Sequence, residues 1–106
     1  MYMTIRTYRL RSGSIDEAFH RTDQLLADAF AQEPGFMAYE VARTGERTVA
    51  AVTIFQERAY AKASNEVATR WVATELAEFE PEQLGVVGGE VLVSRADPAV
   101  LEAIHH

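Results

Sequence analysis

Asn65 interrupts an otherwise apolar stripe at helical spacing: Ala61, Asn65, Ala68, Val72, Leu76 and Phe79. A side-chain amide buried without a partner costs about 1–3 kcal/mol. The pattern therefore predicts a partner for Asn65: backbone, another side chain, water or a ligand. Thr22 holds the same position in an earlier helix, as the polar member of the stripe Ile15, Phe19, Thr22, Leu26 and Ala29. An amide and a hydroxyl in an apolar cleft walled by residues such as Phe19 and Val72 have the make-up of a small-molecule site. Each also has a structural reading. Thr22 can bond the carbonyl four residues back, and Ser64-Asn65 can cap a second segment if the long helix breaks there.

Trp71 is the one tryptophan. It lies roughly 120° from Asn65 on a helical wheel, on a shoulder shared with Tyr60, Ser64, Val67 and Glu75. There it either packs with its N–H turned to a partner or stacks on a flat ligand. Glu75 reads as a base or as a solvated carboxylate. Tyr39 is a further candidate for the cleft, on a strand whose facing the pattern does not decide. His20 falls off its helix stripe and is expected to face solvent. No His or carboxylate grouping has metal-ligand spacing. No glycine-rich loop precedes a helix to cradle phosphate, and no G-x-S-x-G occurs. Neither a metal site nor a cofactor is expected, and any catalysis would run with little acid–base equipment.

The elements that must position these residues follow in the order β-α-β-β-α-β. Residues 1–10 read as a strand. Ser14-Ile15-Asp16-Glu17 has capping-box spacing and opens a helix that Pro34-Gly35 must end. Phe36 to Ala42 and Thr48 to Phe55 read as a hairpin about Thr44-Gly45-Glu46. A second helix spans about residues 57–79 and stops near Pro81. Gly85 to Val93 reads as the last strand, with Gly88-Gly89 as a possible bulge. Asp97-Pro98 begins a tail, so the expected division is one domain over 1–96 and a tail over 97–106. The terminal His105 and His106 carry no functional weight.

This order predicts an α+β, ferredoxin-like βαββαβ domain, in which right-handed crossovers set both helices on one face of a four-stranded antiparallel sheet. Strand three is then apolar on both faces. Val49, Ala51 and Phe55 point one way, and Ala50, Val52 and Ile54 the other. An apolar sheet face without helices calls for a cover, and a second copy in a two-fold homodimer is the expected one. Composition agrees with a single globular domain: 106 residues, 48% hydrophobic and 25% charged. No stretch approaches the ~20 apolar residues of a membrane span, and no signal peptide is expected from the opening residues. Without cysteine there is no disulfide, and a cytoplasmic location is expected. The net charge of −6 argues against a nucleic-acid partner. The basic cluster Arg6, Arg9 and Arg11 reads as a solvated strand edge.

Pro34-Gly35-Phe36 opening a strand, a third strand ending in Phe55, and Ser64-Asn65 followed by Trp71-Val72 together resemble the antibiotic biosynthesis monooxygenase domain of the dimeric α/β-barrel superfamily. The resemblance spans about residues 3–93. It implies a homodimer with sheets packed face to face. It also implies a cofactor-independent monooxygenase-like function on a small aromatic or quinone-type compound, whose own deprotonated form reduces O₂. On this resemblance Asn65 and Trp71 are the catalytic candidates, with Phe19, Thr22, Tyr39 and Val72 binding substrate. The alternative is a non-catalytic homodimer that binds a small hydrophobic metabolite; a third is a structural dimer with a filled cleft. Haem-degrading relatives carry an Asn on the first strand and a His after the helix-two Trp. Neither is present here before the tail, so haem degradation ranks low.

Overall fold

The computed structural model describes residues 1–101. His105 and His106 lie outside them. The elements are β1 (Tyr2–Leu10), α1 (Ile15–Arg21), a π-helical segment (Thr22–Leu26), α2 (Ala27–Ala31), β2 (Phe36–Arg43), β3 (Thr48–Phe55), α3 (Arg58–Glu75) and β4 (Pro81–Glu90). Short 3-10 turns follow α3 (Ala77–Phe79) and occupy the tail (Pro98–Leu101). The strands form one antiparallel sheet in the order β2-β3-β1-β4. This is the ferredoxin-like α+β arrangement expected from the element order.

Local chemistry explains the boundaries. The Ser14 hydroxyl accepts from the Glu17 N–H at 3.3 Å, capping α1. The reciprocal half of the capping box is not made; Glu17 instead pairs with Arg21, one turn on. Gly35 follows α2 with φ of 75°. A Cβ there would run into the Tyr60 ring, so both backbone and packing require glycine. The β2–β3 hairpin closes through the Thr44 N–H donating to the Thr48 carbonyl at 3.0 Å.

The last strand differs from its expected span. It starts at Pro81, four residues before Gly85, and ends at Glu90. Glu80 adopts a left-handed φ of 47° after the 3-10 turn and re-aims the chain. β4 is an edge strand, so the missing proline N–H breaks no ladder. The bulge falls at Leu84, opposite the Thr7/Tyr8 step, and not at Gly88-Gly89, which pair in register with Thr4 and Met3. Gly88 instead clears space for Tyr2, whose hydroxyl lies 2.8 Å from where a Cβ would stand.

Strand three alternates as expected. Val49, Ala51, Thr53 and Phe55 are buried under the helices, while Ala50, Val52 and Ile54 are half-buried on the open face. Two core clusters result. One joins Leu10, Ile15, Ala18, Leu76 and Phe79. The other joins Leu26, Phe30, Phe55, Ala61 and Ala68. In the second, Phe55 meets Phe30 and Phe36 edge-on, at centroid distances of 6.5 and 5.9 Å.

Candidate functional site

The helix-facing side of the sheet can be followed in rows across the strands. Phe36, Phe55 and Tyr2 form one row; Tyr39, Thr53 and Thr4 form the next. Then come Val41, Ala51 and Arg6, followed by Arg43, Val49 and Tyr8. Ala51 is the small residue in the middle of the sheet, beside Arg6, and space opens above it. A cavity of about 50 Å³ lies there, between the sheet and both helices. Tyr8, Tyr39 and Val41 wall it from the strands. Phe19, Thr22 and Leu26 wall it from the first helix, and Ala68, Val72 and Leu76 from α3. The lining is mostly apolar, with Arg6, Tyr8, Thr22 and Tyr39 as its polar side chains, the make-up of a small-molecule site.

The partner of Asn65 is Arg6. The guanidinium donates to the Asn65 side-chain oxygen. This corrects the reading of Arg6 as part of a solvated edge: Arg6 is only 3% exposed, whereas Arg9 and Arg11 are exposed and face Glu82. The reason is strand parity. Arg6 shares its face with Thr4, Tyr8 and Leu10, which point into the core, while Arg9 lies on the other face. Among the described residues Arg6 forms no ion pair and no other hydrogen bond. Burial pushes its pKa down, partly opposed by Tyr8 and Tyr39. Burial likewise raises the Tyr8 and Tyr39 phenols, against the pull of the Arg6 charge. Both phenols are therefore protonated at neutral pH, and Arg6 remains cationic.

Of the residues singled out in the sequence, Phe19, Thr22, Tyr39 and Val72 come together around the cavity, and Asn65 and Trp71 do not line it. Asn65 reaches it through Arg6. Trp71 is half-buried and packs against both core clusters. Thr22 takes its structural option, its hydroxyl donating to the Ala18 carbonyl at 2.9 Å. The long helix does not break at Ser64-Asn65. Ser64 is fully buried and bonds the Ala61 carbonyl at 2.7 Å, so it belongs to the packed stripe and not to its shoulder. Small residues Ala61, Ser64 and Ala68 let α3 approach the sheet closely. His20 and Glu75 are exposed. Arg6 and Tyr8 were missed as cavity residues, although their alternation with buried Leu10 was visible in the sequence.

The first helix passes over the cavity in an irregular form. Its central turn, Thr22–Leu26, is π-helical, with the Ala27 N–H donating to the Thr22 carbonyl five residues back. Such widened turns gather at functional sites. Thr22 and Leu26 both belong to this turn and to the cavity wall. Among the described residues no group of three His, Cys, Asp or Glu could hold a metal ion. No helix among the described residues is long and apolar enough to cross a membrane.

No family model matches the chain, and no curated protein sequence matches it. Solved structures do. A candidate antibiotic biosynthesis monooxygenase from Deinococcus radiodurans superposes with a TM-score of 0.70 at 13% identity, over 92% of this chain and 98% of the other. A variant of MhuD, solved with two manganese protoporphyrin IX molecules per active site, gives 0.69 at 20% identity over 92% and 100%. A variant of SnoaB, a cofactor-independent oxygenase from Streptomyces nogalater, gives 0.59 at 16% over 92% and 97%. The chain has the fold of the antibiotic biosynthesis monooxygenase-like structures.

Proposed function

We propose that this protein is a cofactor-independent monooxygenase-like enzyme that oxidises a small aromatic or quinone-type compound in an apolar site between sheet and helices. The observation that carries this reading is the cavity itself, walled by apolar side chains and set beneath a π-helical turn. The substrate would supply the electrons. In an anthrone, loss of a ring CH₂ proton leaves a delocalised carbanion that reduces O₂ and forms a C–O bond. Loss of water from the resulting peroxide converts the CH₂ to a carbonyl, so one oxygen atom is kept and the other leaves as water. The protein would hold the flat ring, anchor its oxygen and exclude water. Phe19, Thr22, Tyr39 and Val72 would contact the ring, Asn65 would orient Arg6, and Trp71 would hold the wall beside them. The cavity is smaller than the ~300 Å³ and upward typical of ligand sites, so the widened turn would have to move to admit a polycyclic substrate.

Oxygen uptake with anthrones and dihydroquinones tests the proposal. Wild type should exceed the protein-free rate at least tenfold. Asn65→Ala and Trp71→Phe should each retain less than a tenth of the gain. A wild-type rate equal to the protein-free control across the panel would support the non-catalytic binder instead.

A homodimer and a cytoplasmic location belong to the same proposal. On the open sheet face Met3, Ile5, Val52 and Ile54 are only half-buried, and Val87 is 63% exposed. A second copy packed face to face would cover this patch. Light scattering at micromolar concentration should give about twice 11.8 kDa; the monomer mass would refute the dimer.

A further inference from the structure

We infer that Arg6, held in place by Asn65, is an anion receptor, and that the ligand of this cavity is a flat apolar monoanion whose charged oxygen docks on the guanidinium. The inference rests on reading the cavity as a ligand site and adds the charge of what enters it.

Three observations support it. Arg6 is buried on β1, a central strand of the sheet, yet it has no acidic partner among the described residues. A guanidinium carries five donor hydrogens, and one neutral amide oxygen leaves most of them unused. Satisfying Asn65 does not account for a buried charge, because an apolar pair of similar size would fill the same space without the desolvation cost. Secondly, the polar side chains around the cavity are rich in donors. Tyr8 and Tyr39 line it beside Arg6, and neither hydroxyl is hydrogen-bonded among the described residues. The fourth polar side chain, Thr22, has committed its hydrogen to Ala18. Among the described residues no carboxylate lines the cavity, so the complement to this set is a ligand that accepts. Thirdly, the chain carries a net charge of −6, which repels anions at long range. A buried cation beside the cavity runs against that trend and selects an anion at short range, where the low-dielectric surroundings strengthen the contact. The planar fork suits a carboxylate bidentately and a phenolate or enolate through a single oxygen. Asn65 is then a positioning residue: its oxygen holds one edge of the guanidinium and leaves the rest free.

Matched probes separate charge from shape. Titration calorimetry with 2-naphthoate and 2-naphthamide compares an anion with its neutral isostere. 4-Nitrophenol above and below its ionisation tests a phenolate in the same way. Wild type should bind each anion at least tenfold more tightly than its neutral counterpart. Arg6→Met should bring the naphthoate-to-naphthamide ratio to near one, chiefly by weakening naphthoate. Arg6→Lys should keep a reduced preference, because it retains charge without the fork. If Arg6→Met folds poorly, Arg6→Met/Asn65→Leu removes charge and amide together and should show the same loss. Equal affinities in wild type, no binding of any probe at millimolar concentration, or a preference that survives Arg6→Met would overturn the inference. A clear anion preference without oxygen uptake would keep the receptor and reject the oxygenase. Oxygen uptake unaffected by Arg6→Met would do the reverse.

Discussion

Phe55→Ala is expected to lower the unfolding free energy by about 3–5 kcal/mol, the usual cost of deleting a fully buried phenylalanine ring. Phe55 has no exposed surface. It ends β3, pairs in register with Phe36 on one side and Tyr2 on the other, and meets the rings of Phe30 and Phe36 edge-on. Its removal empties the centre of one core cluster, where neighbours on β1, β2 and the first helix can collapse only partly. Small domains have total stabilities of about 5–15 kcal/mol, so the variant should be close to unfolded at 37 °C. Urea unfolding followed by circular dichroism measures the loss. A loss under about 1 kcal/mol would mean that the ring is not packed as described.

The second large effect is expected at Asn65. Asn65→Leu keeps the side-chain volume but removes the oxygen that accepts from Arg6. A buried guanidinium would then have no protein partner among the described residues, at a cost of about 2–3 kcal/mol for a hydrogen bond to a charged group. The double variant Arg6→Met/Asn65→Leu removes the charge as well and should recover most of that loss. Replacing buried charged groups by apolar ones of similar size is often neutral or stabilising. A double-mutant cycle reads the coupling directly. Additive single effects would show that the two side chains do not depend on each other. Together with the loss of anion binding expected for Arg6→Met, recovered stability would mean that the charge is retained for a ligand at the expense of the fold.

Much of the architecture was legible in the sequence. The Ser14 cap, Pro34-Gly35 and the Thr44-Gly45-Glu46 turn marked the element boundaries because each acts within a few residues. The two-sided apolar pattern of β3 was legible for the same reason, since strand alternation is a local period. The β4 start was misplaced because Pro81 in a strand is acceptable only at a sheet edge, and edge position is a property of the whole sheet. The helical wheel sets Ser64 on the shoulder shared with Trp71, and the structure buries it in the packed stripe. Its hydroxyl bonds back to Ala61, which lets a serine pack as tightly as an alanine.

The site divides along the same line. By itself the sequence determined that Asn65 needed a partner, that Thr22 had one within its own helix if no ligand came, and that Phe19 and Val72 lay on apolar stripes at helical spacing. These follow from helical period and hydrogen-bond accounting within one segment. Only the tertiary structure decided that the partner of Asn65 is Arg6, 59 residues away. It also decided that Trp71 packs against both core clusters without lining the cavity, and that the space lies beside Ala51. Pairing across that distance depends on strand order and register, which bring β1 beneath α3 and set Arg6 opposite a residue too small to fill the gap. No local period encodes such a meeting, because it exists only once the sheet has formed.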